Sequence, residues 1–132
     1  RELELENHVI FTGYLNNDDY VAMLNAFDIA VYLVPGTDGT CRTVREYMAM
    51  GKPVIATNTG ILPELIQDGK EGLIVNDTVE DLYHAIRSLC EHPDYRKELG
   101  DNAHQKALKN FSPENQAKTV SEIYEQCIQR MR

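Results

Sequence analysis

Apolar and polar positions change period several times along the chain, and each change marks an element. After a charged lead-in, Arg1 to Asn7, the run HVIFTGY from His8 to Tyr14 is β-rich and closed by Gly13. Asn16, Asn17 and Asp18 supply turn residues and helix caps. From Asp19 the apolar residues Tyr20, Val21, Leu24 and Phe27 recur at helical spacing, which predicts a helix to about Ala26. IAVYLV, Ile29 to Val34, is apolar at nearly every position and reads as a parallel strand covered on both faces. The segment after Gly39 is helical, with Cys41, Val44 and Met48 on one stripe, Tyr47 beside it and Glu46 off the core side. Gly51 and Pro53 stop that helix, and PVIATN forms the next strand. Gly60, a short helix ELIQ from Glu64, the turn DGKEG and the strand GLIV ending at Val75 complete a further step.

Strand, helix, strand, helix, strand in this rhythm predicts an α/β fold: a Rossmann-like parallel sheet with flanking helices and a helical C-terminal third. In that third, Asp77 or Thr78 caps a helix through His92 with Leu82, Ala85, Ile86 and Leu89 as its buried stripe. Pro93 starts a helix to about Asn110, and Ser112-Pro113-Glu114 opens a last one ending near Met131. There are no repeats and no internal boundary, so residues 1–132 are expected to form one domain around one core. In open parallel sheets ligands sit beyond the carboxyl ends of the strands. That rim is expected at the loops Gly13 to Asn17, Pro35 to Gly39 and Asn58 to Ile61.

Composition narrows the chemistry. The apolar fraction of 42% and charged fraction of 26% are those of an ordinary globular protein. A net charge of -8 argues against sequence-independent nucleic-acid binding, which depends on Lys and Arg at many phosphates. Cys41, Cys90 and Cys127 have no paired or zinc-like spacing and read as reduced thiols in a cytoplasmic protein. No apolar run approaches the ~20 residues of a membrane span, which leaves room for peripheral contact at the inner membrane face.

The loop Pro35 to Gly39 delivers the chain into a helix whose first turn holds Thr40, Cys41, Arg42 and Thr43. Backbone N–H groups at a helix start, with the positive end of the dipole, favour an anion, above all a phosphate. Arg42 or Arg45 can add charge. Asp38 and Glu46 bracket this stretch with seven residues between them. A phosphate site flanked by two carboxylates suits a ligand anionic in its middle and rich in hydroxyls at both ends, the character of a nucleotide sugar.

Taken together, VIFTGYL, FDIAVYLVP, the acid pair in E-x7-E spacing, EYMAMGKPVIAT followed by Gly60, PELIQDGKEGLIV and NFSPENQAKTVSEIYEQ resemble one family. It is the C-terminal, donor-binding half of retaining GT-B glycosyltransferases, glycosyltransferase family 4. The resemblance covers Val9 to Arg130. It implies a sugar transferred from a nucleoside diphosphate sugar to a saccharide or lipid-linked acceptor, as in polysaccharide biosynthesis. It implies that Glu46 accepts hydrogen bonds from the ribose hydroxyls and that Asp38, the catalytic candidate, holds hydroxyls of the transferred sugar. Gly39, Thr40, Cys41, Arg42 and Thr43 would meet the sugar and diphosphate, Leu15, Asn17 and Tyr20 the base, and Gly60 the donor site. No metal and no cofactor beyond the donor itself are expected.

The sequence departs from the family pattern at three places. The first acid is Asp38 where the family has Glu, and Gly39-Thr40-Cys41 replaces its Gly-Phe-Gly type run. The family's two preceding strands, with a Gly-Arg…Lys-Gly segment that grips the diphosphate, are missing, as is the acceptor-binding N-terminal domain. The expectation is a fragment of a longer enzyme, inactive alone, in which the VIFTG strand has lost its neighbours. In the last helix Val120, Ile123, Tyr124, Cys127 and Ile128 form an apolar stripe. In GT-B enzymes that helix crosses to the N-terminal domain, so the stripe is expected to be partly exposed or to support self-association. Two rival readings are glycoside hydrolysis by the two acids, and a non-catalytic flavodoxin-like interaction module using the acidic surface.

Overall fold

The computed structural model describes residues 4–37 and 39–131. Helix α1 spans Asn17–Ala26, β1 Ala30–Tyr32, α2 Arg42–Ala49, β2 Val54–Thr57, α3 Leu62–Leu65 and β3 Gly72–Val75. Three further helices follow: α4 over Val79–Glu91, α5 over Pro93–Asn110 and α6 over Pro113–Arg130. The strands form a parallel sheet in the order β1-β2-β3, with Ala30 opposite Val54 and Val54 opposite Gly72. This is the Rossmann-like arrangement expected from the alternating pattern.

The central strand β2 is buried at all four positions, and strand pleating sends neighbouring side chains to opposite faces. Val54 and Ala56 join Cys41, Val44 and Met48 of the α2 stripe, Leu62 and Leu65 of α3 with Ile66 just after it, and Ala103 and Ala107 of α5. Ile55 points the other way, against Ala85 and Leu89 of α4 and Leu99 of α5. The core therefore has two layers, one on each face of the sheet.

The caps follow the sequence. Asn16 accepts from the Asp19 amide, Thr78 from Asp81 and Ser112 from Asn115, each satisfying an amide left orphaned at a helix start. Gly51, at φ +70, takes the left-handed position after α2 that ends helices without strain. Helix α3 starts at Leu62 rather than Glu64, because Pro63 is pre-set for a first helical turn.

Two expectations are corrected. The run His8 to Tyr14 forms no strand: Ile10 is 87% exposed and Phe11 93%, and no strand lies beside them among the described residues. A β-rich sequence becomes a strand only through a hydrogen-bonded neighbour. The strand expected over Ile29 to Val34 is confined to Ala30–Tyr32, an edge strand whose Val31 faces outward, so it is covered on one face only. The stripe on α6 behaves as expected: that helix has no buried residue, and Val120, Ile123, Tyr124 and Ile128 are all at least half exposed.

Candidate functional site

The loops that follow β1 and β2 meet at the carboxyl end of the sheet. Gly60, at φ +57, is pressed against the backbone of Gly36, and a Cβ there would lie 2.6 Å from the Gly36 carbonyl oxygen. The Ile61 amide donates to that same carbonyl at 3.3 Å. Below them the buried Thr57 hydroxyl donates to the Leu33 carbonyl and shares a hydrogen bond with Thr59 Oγ1 at 2.7 Å. The rim therefore has a fixed floor, formed from loops 25 residues apart in sequence if counted from Gly36 to Ile61.

Entry into α2 is tied down from within. Thr40 and Cys41 both donate their amides to the Thr37 carbonyl at 3.1 Å, and the Thr37 amide donates to Thr40 Oγ1 at 2.8 Å. The Tyr32 hydroxyl donates to the Thr40 carbonyl. The amides of Thr40 and Cys41 thus turn inward, and the expected row of ligand-facing donors from Gly39 to Thr43 narrows to its ends. Cys41 is fully buried, its sulfur packed so closely on Gly36 that a Cβ at Gly36 would meet it at 2.1 Å. Its side chain belongs to the core. Gly39 and Arg42 are exposed and Thr43 is half-buried, the latter two being the first residues of α2. Asp38 lies outside the described residues.

Glu46 stands one turn further along α2, exposed on the side away from Val44 and Met48. Its Oε2 accepts a 2.6 Å hydrogen bond from the Tyr20 hydroxyl, a bond from the first half of α1 across 26 residues of sequence. Bonds to an ionised acceptor are shorter and stronger than neutral ones. Burial and the neighbouring Glu46 carboxylate push the Tyr20 hydroxyl up to about 12, so it remains a donor throughout neutral pH. Leu15, half-buried, and Asn17, exposed at the first position of α1, lie at the end of the helix that Tyr20 joins to α2.

Sequence reasoning missed two contacts here. The Tyr20–Glu46 bond joins residues with no shared motif. Arg45 lies over the Phe111 ring, 5.3 Å from its centroid, a cation–π contact that directs it toward the start of α6. Arg42, Arg45, Glu46, Phe111 and Pro113 border an open hollow of about 420 Å³. A second hollow of about 540 Å³ lies beside the β2 loop, lined by Asn58, Glu64 and Lys106 among others. Among the described residues no three His, Cys, Asp or Glu side chains gather as a metal set, and no helix is long and apolar enough to cross a membrane.

Comparison with known proteins places this geometry in context. The family described as glycosyl transferases group 1 matches residues 1–106. Alpha-1,3/1,6-mannosyltransferase ALG2 of Dictyostelium discoideum is 35% identical over 112 residues, covering 85% of this chain and 26% of that protein. Among solved structures, sucrose-phosphate synthase from Thermosynechococcus elongatus superposes with a TM-score of 0.79 at 26% identity, over 96% of this chain and 32% of the other. Anabaena Alr3699/HepE in complex with UDP-glucose superposes with a TM-score of 0.77 at 28% identity, over 89% of this chain and 33% of the other. The chain spans about a quarter to a third of the length of these relatives.

Proposed function

The chain belongs to the glycosyl transferases group 1 family, and from that premise we propose that it forms most of the nucleotide-sugar-binding domain of a retaining glycosyltransferase. One observation carries the reading: a carboxylate side chain, Glu46, held by Tyr20 at the carboxyl-end rim of a parallel sheet. A carboxylate offers acceptors to two vicinal hydroxyls at once, which fits the ribose of a nucleoside diphosphate sugar. A UDP-glucose complex of a structural relative, Anabaena Alr3699/HepE, supports that ligand class.

In this reading the Gly39, Arg42 and Thr43 segment faces the diphosphate at the start of α2, where the helix dipole favours negative charge. Charge builds on the diphosphate as the sugar leaves, and donors fixed in place stabilise it without reorganisation. Asp38, eight positions before Glu46, holds hydroxyls of the transferred sugar; its place in the acid spacing of the family supports this. The acceptor, a saccharide or a lipid-linked one, is bound by parts of the enzyme outside this chain. Turnover is a property of the longer enzyme, working in the cytoplasm and, for a lipid-linked acceptor, at the inner membrane face.

The test is made on the enzyme that carries this chain, with the anomeric configuration of the product read by proton NMR. Retention of the donor configuration is expected, and inversion would overturn the assignment. Asp38→Asn in the same enzyme should lower kcat by roughly 100-fold, the scale of a misplaced reacting centre, with nucleoside diphosphate affinity nearly unchanged. A wild-type kcat would remove Asp38 from the sugar-holding role.

A further inference from the structure

Glu46 is reached from outside its own helix. Its Oε2 takes the Tyr20 hydroxyl at 2.6 Å, while Thr43 stands on the same face of α2 one turn earlier, beside that hydroxyl. Tyr20 is partly buried and Glu46 exposed, so the phenol comes from the protein side and the carboxylate faces solvent. The bond occupies one acceptor position on one oxygen. An ionised carboxylate has about four such positions, so a vicinal diol can still be accepted without displacing Tyr20.

An exposed glutamate otherwise turns freely about three side-chain torsions, and fixing them costs free energy on binding. Tyr20 is in place to fix them beforehand. It also ties α1, whose start carries Leu15 and Asn17, to the acid on α2.

We infer that Tyr20 is the positioning residue of the ribose carboxylate: its hydroxyl holds Glu46 so that the remaining acceptor positions meet both ribose hydroxyls, which makes the site selective for ribo- over 2′-deoxyribonucleotides. The inference rests on the ribose role proposed for Glu46. Tyr20 itself supplies no chemistry to the transfer, and its effect lies in ligand choice and affinity.

The distinguishing readout is the ratio of affinities for UDP and 2′-deoxy-UDP, since a merely structural role would weaken both ligands alike. Titrations of each nucleotide into the 132-residue chain, followed by amide shifts, give both constants and verify the fold of every variant. The native chain is expected to prefer UDP by about 10-fold, the loss of one charge-assisted hydrogen bond. Tyr20→Phe should reduce that preference to roughly 3-fold, half of the effect on a logarithmic scale. Glu46→Gln should abolish it, because Tyr20 then claims the one oxygen that glutamine has. If Tyr20→Phe keeps the native ratio while Glu46→Gln removes it, the positioning role is overturned and the ribose role of Glu46 stands. If Glu46→Gln also keeps the native ratio, or the native chain does not distinguish the two nucleotides, the ribose reading itself fails. Should Tyr20→Phe not fold, Thr43→Val removes the neighbouring hydroxyl from the same cluster; it is expected to lower the ratio in the same direction, and an unchanged ratio would count against the inference.

Discussion

Glu46→Gln is expected to weaken nucleoside diphosphate binding by roughly 10- to 100-fold, the worth of hydrogen bonds to a charged acceptor. The substitution keeps shape and length but alters what the ligand meets. Tyr20 requires an acceptor and would claim the one oxygen that glutamine has, as it now claims Oε2 of Glu46. The amide nitrogen, a donor only, would then face the ribose, and two hydroxyls that had donated to one carboxylate would have no acceptor. The fold should be unaffected, because Glu46 is exposed and off the Val44 and Met48 stripe. In the enzyme that carries this chain the same change should appear in the KM for the nucleotide sugar more than in kcat, since the contact is made equally before and during transfer. An unchanged nucleotide affinity in a folded variant would remove Glu46 from the site.

The second large effect is expected at Gly60. Its φ of +57 lies in the left-handed region, which costs a residue with a Cβ about 1–2 kcal/mol. Alanine would also place its Cβ 2.6 Å from the Gly36 carbonyl oxygen and 3.0 Å from the Gly36 nitrogen. Those are backbone atoms, so no side chain can swing aside, and the two loops must part. Overpacking of this kind adds about 1–3 kcal/mol. Gly60→Ala is therefore expected to destabilise the chain by about 3 kcal/mol and lower Tm by roughly 10 °C. Because the Ile61 amide bonds to the same Gly36 carbonyl, the rim should open as well, and nucleotide affinity should fall with stability. Gly13 separates the two terms: its φ is +62, yet a Cβ there would meet nothing within 4 Å. Gly13→Ala should cost the conformational term alone, about 1–2 kcal/mol. Equal thermal shifts for the two variants, measured by calorimetry, would show that the Gly36 contact contributes nothing.

How legible these features were depends on how local their causes are. The strand Val54–Thr57 is legible as an unbroken apolar run between Pro53 and Asn58, and it is buried throughout. The stripe Cys41, Val44 and Met48 places Glu46 on the outer side of α2, because helical spacing alone decides which side chains share a face. The capping residues Thr78 and Ser112 marked helix starts through short-range hydrogen bonds written in the sequence. Most of the failures are non-local. Val9, Ile10 and Phe11 have the composition of a strand, but a strand also needs a hydrogen-bonding neighbour that composition does not supply. One miss is local: Thr40 and Cys41 read as open helix-start amides, but the Thr37 carbonyl, three residues before Thr40 and four before Cys41, accepts from both. The Tyr20–Glu46 bond and the stacking of Arg45 on Phe111 link distant segments, and no spacing rule announces either.

The central claim is that the rim around α2 binds the nucleoside diphosphate of a sugar donor. Its most direct test is an amide-shift titration of the 132-residue chain with UDP, GDP, ADP and CMP, which detects even millimolar binding. Saturable shifts centred on Gly39, Arg42, Thr43 and Glu46, larger for one diphosphate than for the others, are the predicted result. A folded chain in which none of the four nucleotides shifts those amides, or in which the shifts fall elsewhere, would contradict it.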